Sequence, residues 1–206
     1  MGYVRTRLIL IISKLNSKHE NIWTRGHLLL GQKKRIKEIN TPYKIQYEAF
    51  ANAGGLYDER HAKLYAEFED NLIADGSFSI VYKDVAHACY IPITIDKAPH
   101  MKCYVLAPLA VLPEYQRKGY ATRLMEEAEK QLDADVIFVM GEPFHYGNRY
   151  NTPHNVLPPV RTKAPLECWF ARELTEGALK GIGESTSSIK GPYAEPLMWG
   201  HPSEQV

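Results

Sequence analysis

The run Gln116-Arg117-Lys118-Gly119-Tyr120-Ala121 is where residue types and spacing could do chemistry. A tight turn leading into a helix leaves several backbone N–H groups without partners, and the helix dipole adds partial positive charge at the same end. Such a turn binds anions, phosphates above all. Gly119 would let a phosphate approach the main chain closely, Ala121 leaves room beside it, and Arg117 and Lys118 add charge at the rim. The same residues read equally well as a surface turn with nothing bound. The run has neither the extra glycines and closing Lys-Ser/Thr of a nucleotide P-loop nor the Gly-x-Gly-x-x-Gly spacing of a dinucleotide site.

The flanking segments predict how this turn is held. Thr41 can cap a helix with Pro42 in its first position, and Tyr43, Tyr47 and Phe50 recur at helical spacing before Gly54-Gly55 ends it. A second helix follows, capped by Asp58, with Leu64, Tyr65, Phe68, Leu72 and Ile73 on its apolar face and Asp75-Gly76 at its end. Three strand-like runs come next: Phe78 to Lys83, Ala86 to Ile95 and Cys103 to Leu112, with turns around Asp84 and over Asp96 to His100. They predict an antiparallel meander. Pro108 in the last run cannot donate a ladder hydrogen bond and predicts a bulge or a splayed edge there.

Gly119 to Leu132 reads as an amphipathic helix with Ala121, Leu124, Met125, Ala128 and Leu132 inside, and with Arg123/Glu127 and Glu126/Lys130 pairing outside. The continuous apolar run Val136 to Met140, closed by Gly141, suits a strand covered on both faces, which makes strand, helix and strand a βαβ unit. Glu142 to Lys163, rich in Pro, Asn, Gly and His, reads as a loop region. Strands around Leu166 to Phe170 and Ile189 to Tyr193 complete the prediction.

Composition bounds the function classes. The chain has 206 residues, 25 basic and 24 acidic side chains and a net charge of +1, with 45% hydrophobic residues. This is ordinary globular composition and excludes collagen-like, disordered and disulfide-scaffold classes. The longest early apolar run, Leu8 to Ile12, is far shorter than the roughly 20 residues of a bilayer span and is no secretory leader, so a cytoplasmic protein without a membrane partner is expected. Cys89, Cys103 and Cys168 are read as small residues in or near a core, and no metal is expected, because His100, His145 and His154 share no ligand spacing. Residues 1–40 carry nine basic and two acidic groups, leaving the remainder at −6. They are read as a basic N-terminal extension, either a solvated leader or an arm for phosphates, ahead of a domain over 41–206.

The turn with its flanks resembles a known family. Gln116, Gly119 and Ala121 match the Arg/Gln-x-x-Gly-x-Gly/Ala pattern of the GNAT N-acetyltransferase superfamily. Ala107 to Ala121, the following helix and Val136 to Gly141 are similar to the core of its YhbS-like branch, as are Glu142-Pro143, Phe144-His145-Tyr146 and Arg149-Tyr150. Glu173-Leu174, Gly177-Ala178-Leu179 and Tyr193 are similar to that branch's C-terminal section, so the likeness runs from about 41 to 195. The chain departs from the pattern upstream, where Gln32 to Ile39 stands in place of a first strand that Val4 to Ile12 could supply.

The resemblance implies an α/β (α+β) GNAT fold, a mixed sheet whose N-terminal meander and βαβ unit surround a splayed cofactor cleft. It implies acetyl coenzyme A, with the pantetheine arm along the backbone of Leu109, Ala110 and Val111 and the pyrophosphate on the N–H groups of Arg117, Lys118, Gly119, Tyr120, Ala121 and Thr122. It also implies direct acyl transfer to a primary amine, small molecule or peptide, with a backbone N–H on the bulged strand stabilising the oxyanion and Tyr146 protonating the departing thiolate. Gly147-Asn148 leaves the register open, and Tyr150 is the alternative acid. The base stays open among Glu142, Glu114, His145 and a water chain, with Glu142 carried forward. A catalytically silent coenzyme A-binding module and a nucleic-acid-associated protein using the basic arm are the competing functions. Strand exchange near the C-terminus is a route to a homodimer.

Overall fold

The computed structural model describes residues 10–11, 41–53, 59–72, 76–162 and 164–199. The chain folds as α1 (Thr41–Ala51), α2 (Glu59–Leu72), β2 (Phe78–Tyr82), β3 (Ala86–Ile95), β4 (Ala98–Val111), α3 (Tyr120–Glu129), β5 (Val136–Met140), α4 (Pro143–Tyr146), β6 (Trp169–Glu173) and β7 (Ser187–Ile189), preceded by β1 (Leu10–Ile11). The strands form one mixed sheet in the order β1-β2-β3-β4-β5-β6, with β7 pairing β3. The β2-β3-β4 meander is antiparallel, β4 and β5 are parallel with α3 between them, and β6 runs antiparallel to β5. The short β1, in the stretch that could supply the first strand, runs parallel to β2. The rest of the basic extension, Gly54-Gly55, the Asp58 cap, Ile73, Asp75 and the side chains of Phe68 and Leu72 lie outside the described residues.

Turn chemistry fixes the meander. Lys83 and Asp84 both take positive φ, 52° and 54°, the twist a two-residue hairpin turn requires. The second hairpin is tighter than the sequence predicts, because Ala98 already pairs with Ile95 and β4 begins there rather than at Cys103. Pairing with β3 extends that strand to 14 residues, ending at Val111.

Three other expectations are corrected. The buried side of α1 is Pro42, Ile45, Gln46 and Ala49, with Phe50 of the aromatic stripe partly buried against the core but Tyr43 and Tyr47 not part of it, and Thr41 is its first residue, not its cap. The small and branched residues fit against Val85, Ala110 and Leu112. The tyrosines instead stack on each other at 6.3 Å at the rim, where the Tyr47 hydroxyl donates to Glu59. Leu166–Cys168 form a 3₁₀ turn, so β6 starts only at Trp169. After Ile189, Gly191 at φ 75° and Pro192 open another 3₁₀ turn that ends β7 short of Tyr193.

The two faces of the sheet are packed separately. On one, Leu124, Met125 and Ala128 of α3, with Leu132 just after it, meet Ile137, Val139, Tyr90 and Tyr150. On the other, Val105, Phe138, Trp169, Tyr193 and Trp199 pack with Tyr65 of α2. Phe138 is fully buried and stacks on Trp169 at 5.2 Å. Phe138→Ala is expected to lower the free energy of unfolding by about 3–5 kcal/mol in a urea titration, the cost of emptying an aromatic core site.

Candidate active site

The site begins where β4 and β5 part. They pair at Cys103↔Val136, Tyr104↔Ile137 and Val105↔Phe138 and no further, while β5 stays paired to β6 through Met140. On the β3 side, Leu106 opposes Tyr90 and Leu109 opposes Ala88, so Cys89 faces both Ala107 and Pro108. This is the predicted bulge: an extra residue where proline has no N–H for the ladder bends the strand away from its parallel neighbour. The Ala107–Pro108 peptide is cis.

A cavity of about 380 Å³ fills the opening, lined by Val105 to Leu109 from β4, Met140 to Glu142 after β5 and Tyr146 of α4. Of the three β4 residues expected to face the cofactor, Leu109 lines it and Ala110 and Val111 do not. Leu112 donates its N–H to Val85 across the ladder at 2.9 Å, which turns the main-chain groups of Val111 to the opposite, open edge. The Val111 carbonyl there accepts the Gln116 side-chain amide at 3.0 Å. Ala110, by the same alternation, has its main chain turned to His87.

The Gln116 amide thus ties the turn to the end of β4. Arg117 and Gly119 both take left-handed backbone, φ 58° and 79°, and α3 opens with Arg123 donating to the Gly119 carbonyl at 3.1 Å. The N–H groups of the first helical turn have no carbonyl within the helix to accept them. A Cβ at Gly119 would meet no atom within 4 Å, so the main chain is open there. Lys118 does not reach the rim: its ammonium donates to the Glu114 carbonyl at 2.7 Å and lies 5.8 Å over the Tyr115 ring. Tyr120 is held edge-on by Tyr115 and Tyr82 at 5.5 and 6.2 Å, while Ala121 is half-buried and Thr122 exposed.

The two candidate tyrosines separate clearly. Tyr146 lines the cavity from a helical turn inside the segment read as loop, and Tyr150 does not line it. Tyr150 is fully buried against α3, its hydroxyl 3.7 Å from the Met125 sulfur, and burial pushes its phenol far above the usual range. The two rings meet edge-on at 6.0 Å, and the Tyr146 carbonyl accepts the N–H groups of Arg149 and Tyr150 at 2.9 and 2.8 Å. Glu142 is exposed at the mouth of the cavity; Glu114 and His145 are exposed and do not line it. The three histidines form no cluster with other metal-binding side chains among the described residues. His154 has both ring nitrogens within 3.3 Å of main-chain groups of Trp169 and Val156, and burial lowers its pKa.

Structure adds residues that the sequence reading missed. A Cβ on Gly141 would sit 2.4 Å from the Tyr146 ring, so only glycine lets that ring close over the end of β5. Gly141 closing an apolar strand was the visible sign. Cys168, read as core, lines the cavity, with its thiol pushed up by burial and then by Glu142 and Glu167. Phe50, Tyr65, Tyr193, Met198 and Trp199 form the far wall. The predicted pairing on α3 is replaced: Glu127 pairs with Lys130 at 2.8 Å, and Glu126 lies 3.6 Å from Arg149. Arg149 also grips Glu129 with two hydrogen bonds, 3.1 and 2.6 Å, and Arg172 approaches the same carboxylate at 3.2 Å. The α4 segment outcompetes the intrahelical pair because Glu129 is nearly buried, 9% exposed, and two guanidinium groups satisfy it.

The family model described as "Acetyltransferase (GNAT) family" matches residues 34–139, from before α1 to β5. The chain belongs to the GNAT acetyltransferase family. Among solved structures, this acetyltransferase is similar in fold to GNAT family N-acetyltransferase YhbS from Escherichia coli in complex with CoA. The TM-score is 0.55 at 16% identity, covering 74% of this chain and 87% of that one. A GNAT family acetyltransferase from Brucella melitensis in complex with acetyl-CoA gives 0.51 at 15% identity, covering 79% and 96%. No curated protein matches by sequence. No described helix of the acetyltransferase is long and apolar enough to cross a membrane.

Two substitutions test how the site is held. Gly141→Ala is expected to displace the Tyr146 ring and lower the melting temperature by several degrees, a loss of about 1–3 kcal/mol from overpacking. Glu129→Ala, which takes the carboxylate from Arg172 and leaves Arg149 with Glu126 at 3.6 Å, is expected to cost roughly 2–3 kcal/mol in a denaturant titration. That is below the fully buried case because Arg172 is 35% exposed.

Proposed function

We propose that the protein moves the acetyl group of acetyl coenzyme A directly to a primary amine of its acceptor. The observation that carries this reading is the parting of β4 from β5 directly after Val105, with Tyr146 lining the cavity between them and the open start of α3 tied to the end of β4 by Gln116, although the turn itself does not line the cavity. The residues present fit the cofactor: the open main chain at Gly119 and the N–H groups of the first turn of α3 suit a pyrophosphate, and the free edge of β4 suits an amide-bearing arm. The two fold neighbours are complexes with CoA and with acetyl-CoA, which agrees with it.

When bound, acetyl coenzyme A supplies a thioester whose carbonyl carbon accepts the amine lone pair as the carbon–sulfur bond breaks. Arg117, Lys118, Gly119, Tyr120, Ala121 and Thr122 hold the phosphates through main-chain N–H groups, with the Arg117 side chain adding charge. Leu109 and Val111 offer main-chain groups on the open edge, and Ala110 backs them from the ladder. Gln116 acts as a positioning residue, because its amide ties the turn to Val111. Glu142 accepts the ammonium proton at the cavity mouth, and the Tyr146 hydroxyl returns one to the departing sulfur. Residues 41–206 form the catalytic domain and 1–40 its basic extension.

Isothermal titration with acetyl coenzyme A tests the reading: micromolar binding is expected, and a folded sample that binds none sinks it. Gly119→Glu is expected to remove that binding, since bulk and negative charge meet the phosphates. Tyr146→Phe is expected to lower kcat by about 10²-fold with little change in cofactor affinity, and wild-type turnover would move the acid role elsewhere.

A further inference from the structure

The walls of the cavity are unequal. One side is formed by the apolar residues Val105 to Leu109 of β4 and Met140 of β5, with Tyr146. The far side, reached through the gap between the strands, is a wall of rings: Phe50 and Tyr65, stacked at 4.4 Å, and Tyr193 and Trp199, perpendicular at 6.4 Å. The Trp199 indole N–H donates to the Tyr193 carbonyl at 2.6 Å, so that ring offers the cavity no donor.

Charge is as one-sided as shape. Among the described lining residues Glu142 alone carries a charge, and it is negative. The neighbouring cations are engaged elsewhere: Arg149 and Arg172 at Glu129, Lys118 at the Glu114 carbonyl. A carboxylate or phosphate on the acceptor would find no described cation there and would face Glu142, which disfavours it. An ammonium is suited to both features, since a carboxylate pairs with it and ring faces attract cations. A long polycation carries more charges than the one described carboxylate of the lining can pair.

We infer that the acceptor is a small primary amine with an apolar, arene-sized body and no anionic group. The inference rests on the acetyl-transfer reading above. In the step it undergoes, the amine nitrogen bonds to the acetyl carbon as the carbon–sulfur bond breaks. The ammonium loses two protons in all, to Glu142 and to solvent, the sulfur leaves as the free thiol with a proton from Tyr146, and Tyr146 regains one from solvent.

The test is release of free thiol by the full chain with acetyl coenzyme A and three amines: 2-phenylethylamine, phenylalanine, which adds a carboxylate to the same body, and spermidine, which is cationic without an apolar body. The expected result is a kcat/KM for 2-phenylethylamine at least about tenfold above both others. In Glu142→Gln all rates fall, but the ratio of 2-phenylethylamine to phenylalanine is expected to shrink towards unity, a change that loss of a proton acceptor alone would not cause. Equal or better turnover of phenylalanine or spermidine overturns the inference and leaves the acetyltransferase reading standing. So does acetyl coenzyme A binding, measured by titration, with none of the three amines accelerating thiol release. A folded chain that binds no acetyl coenzyme A overturns both.

Discussion

The structure turns on a broken hydrogen-bond ladder. A parallel strand pair normally continues until one strand ends, because unpaired main-chain groups in a protein interior are costly. Here β4 runs on for six residues beyond its last pair with β5, and the opening between them is the cavity. Two devices make that break tolerable. β4 is held on its other edge by β3, across the bulge at Ala107 and Pro108, and its freed edge is partly covered by Gln116. β5 is held by β6 throughout.

The elements around the gap are coupled to it through specific contacts. The turn that presents main-chain N–H groups is tied to the end of β4 by the Gln116 side-chain amide. Tyr146 is positioned from three directions: its ring lies on Gly141, its edge meets Tyr150, and its carbonyl takes two N–H groups from the chain that leads to Arg149. Arg149 is in turn anchored on Glu129 of α3. The helix whose first turn leaves main-chain N–H groups open therefore also anchors the segment that follows Tyr146. Deep burial makes Tyr150 a poor proton donor, because its phenolate would be stranded among Met125, Tyr90 and the Glu129 charge.

Local signals in the chain specified much of this. The period of α3, the apolar run of β5, the glycine before the helix and the proline in β4 each constrain the backbone over a few residues, so the fold and the phosphate-type turn are legible without coordinates. Element ends were less legible. β4 begins at Ala98 because β3 pairs with it there, and α1 buries Ile45 and Ala49 because the sheet beneath accepts small side chains better than tyrosine rings. Both are outcomes of partners far along the chain.

What the sequence by itself determined, then, is the backbone: its elements, the strand that must bulge, and the turn whose N–H groups are left open, all set by neighbours in the chain through sterics and hydrogen bonding. Only the tertiary structure decided which side chains share the cavity. It chose Tyr146 over Tyr150, brought Phe50, Tyr65, Tyr193 and Trp199 to one wall from opposite ends of the chain, and left Glu142 as the charge described there. Those selections depend on packing between residues separated by up to about 150 positions. No local pattern encodes them, because each ring reads in sequence only as one more apolar residue with a core to enter.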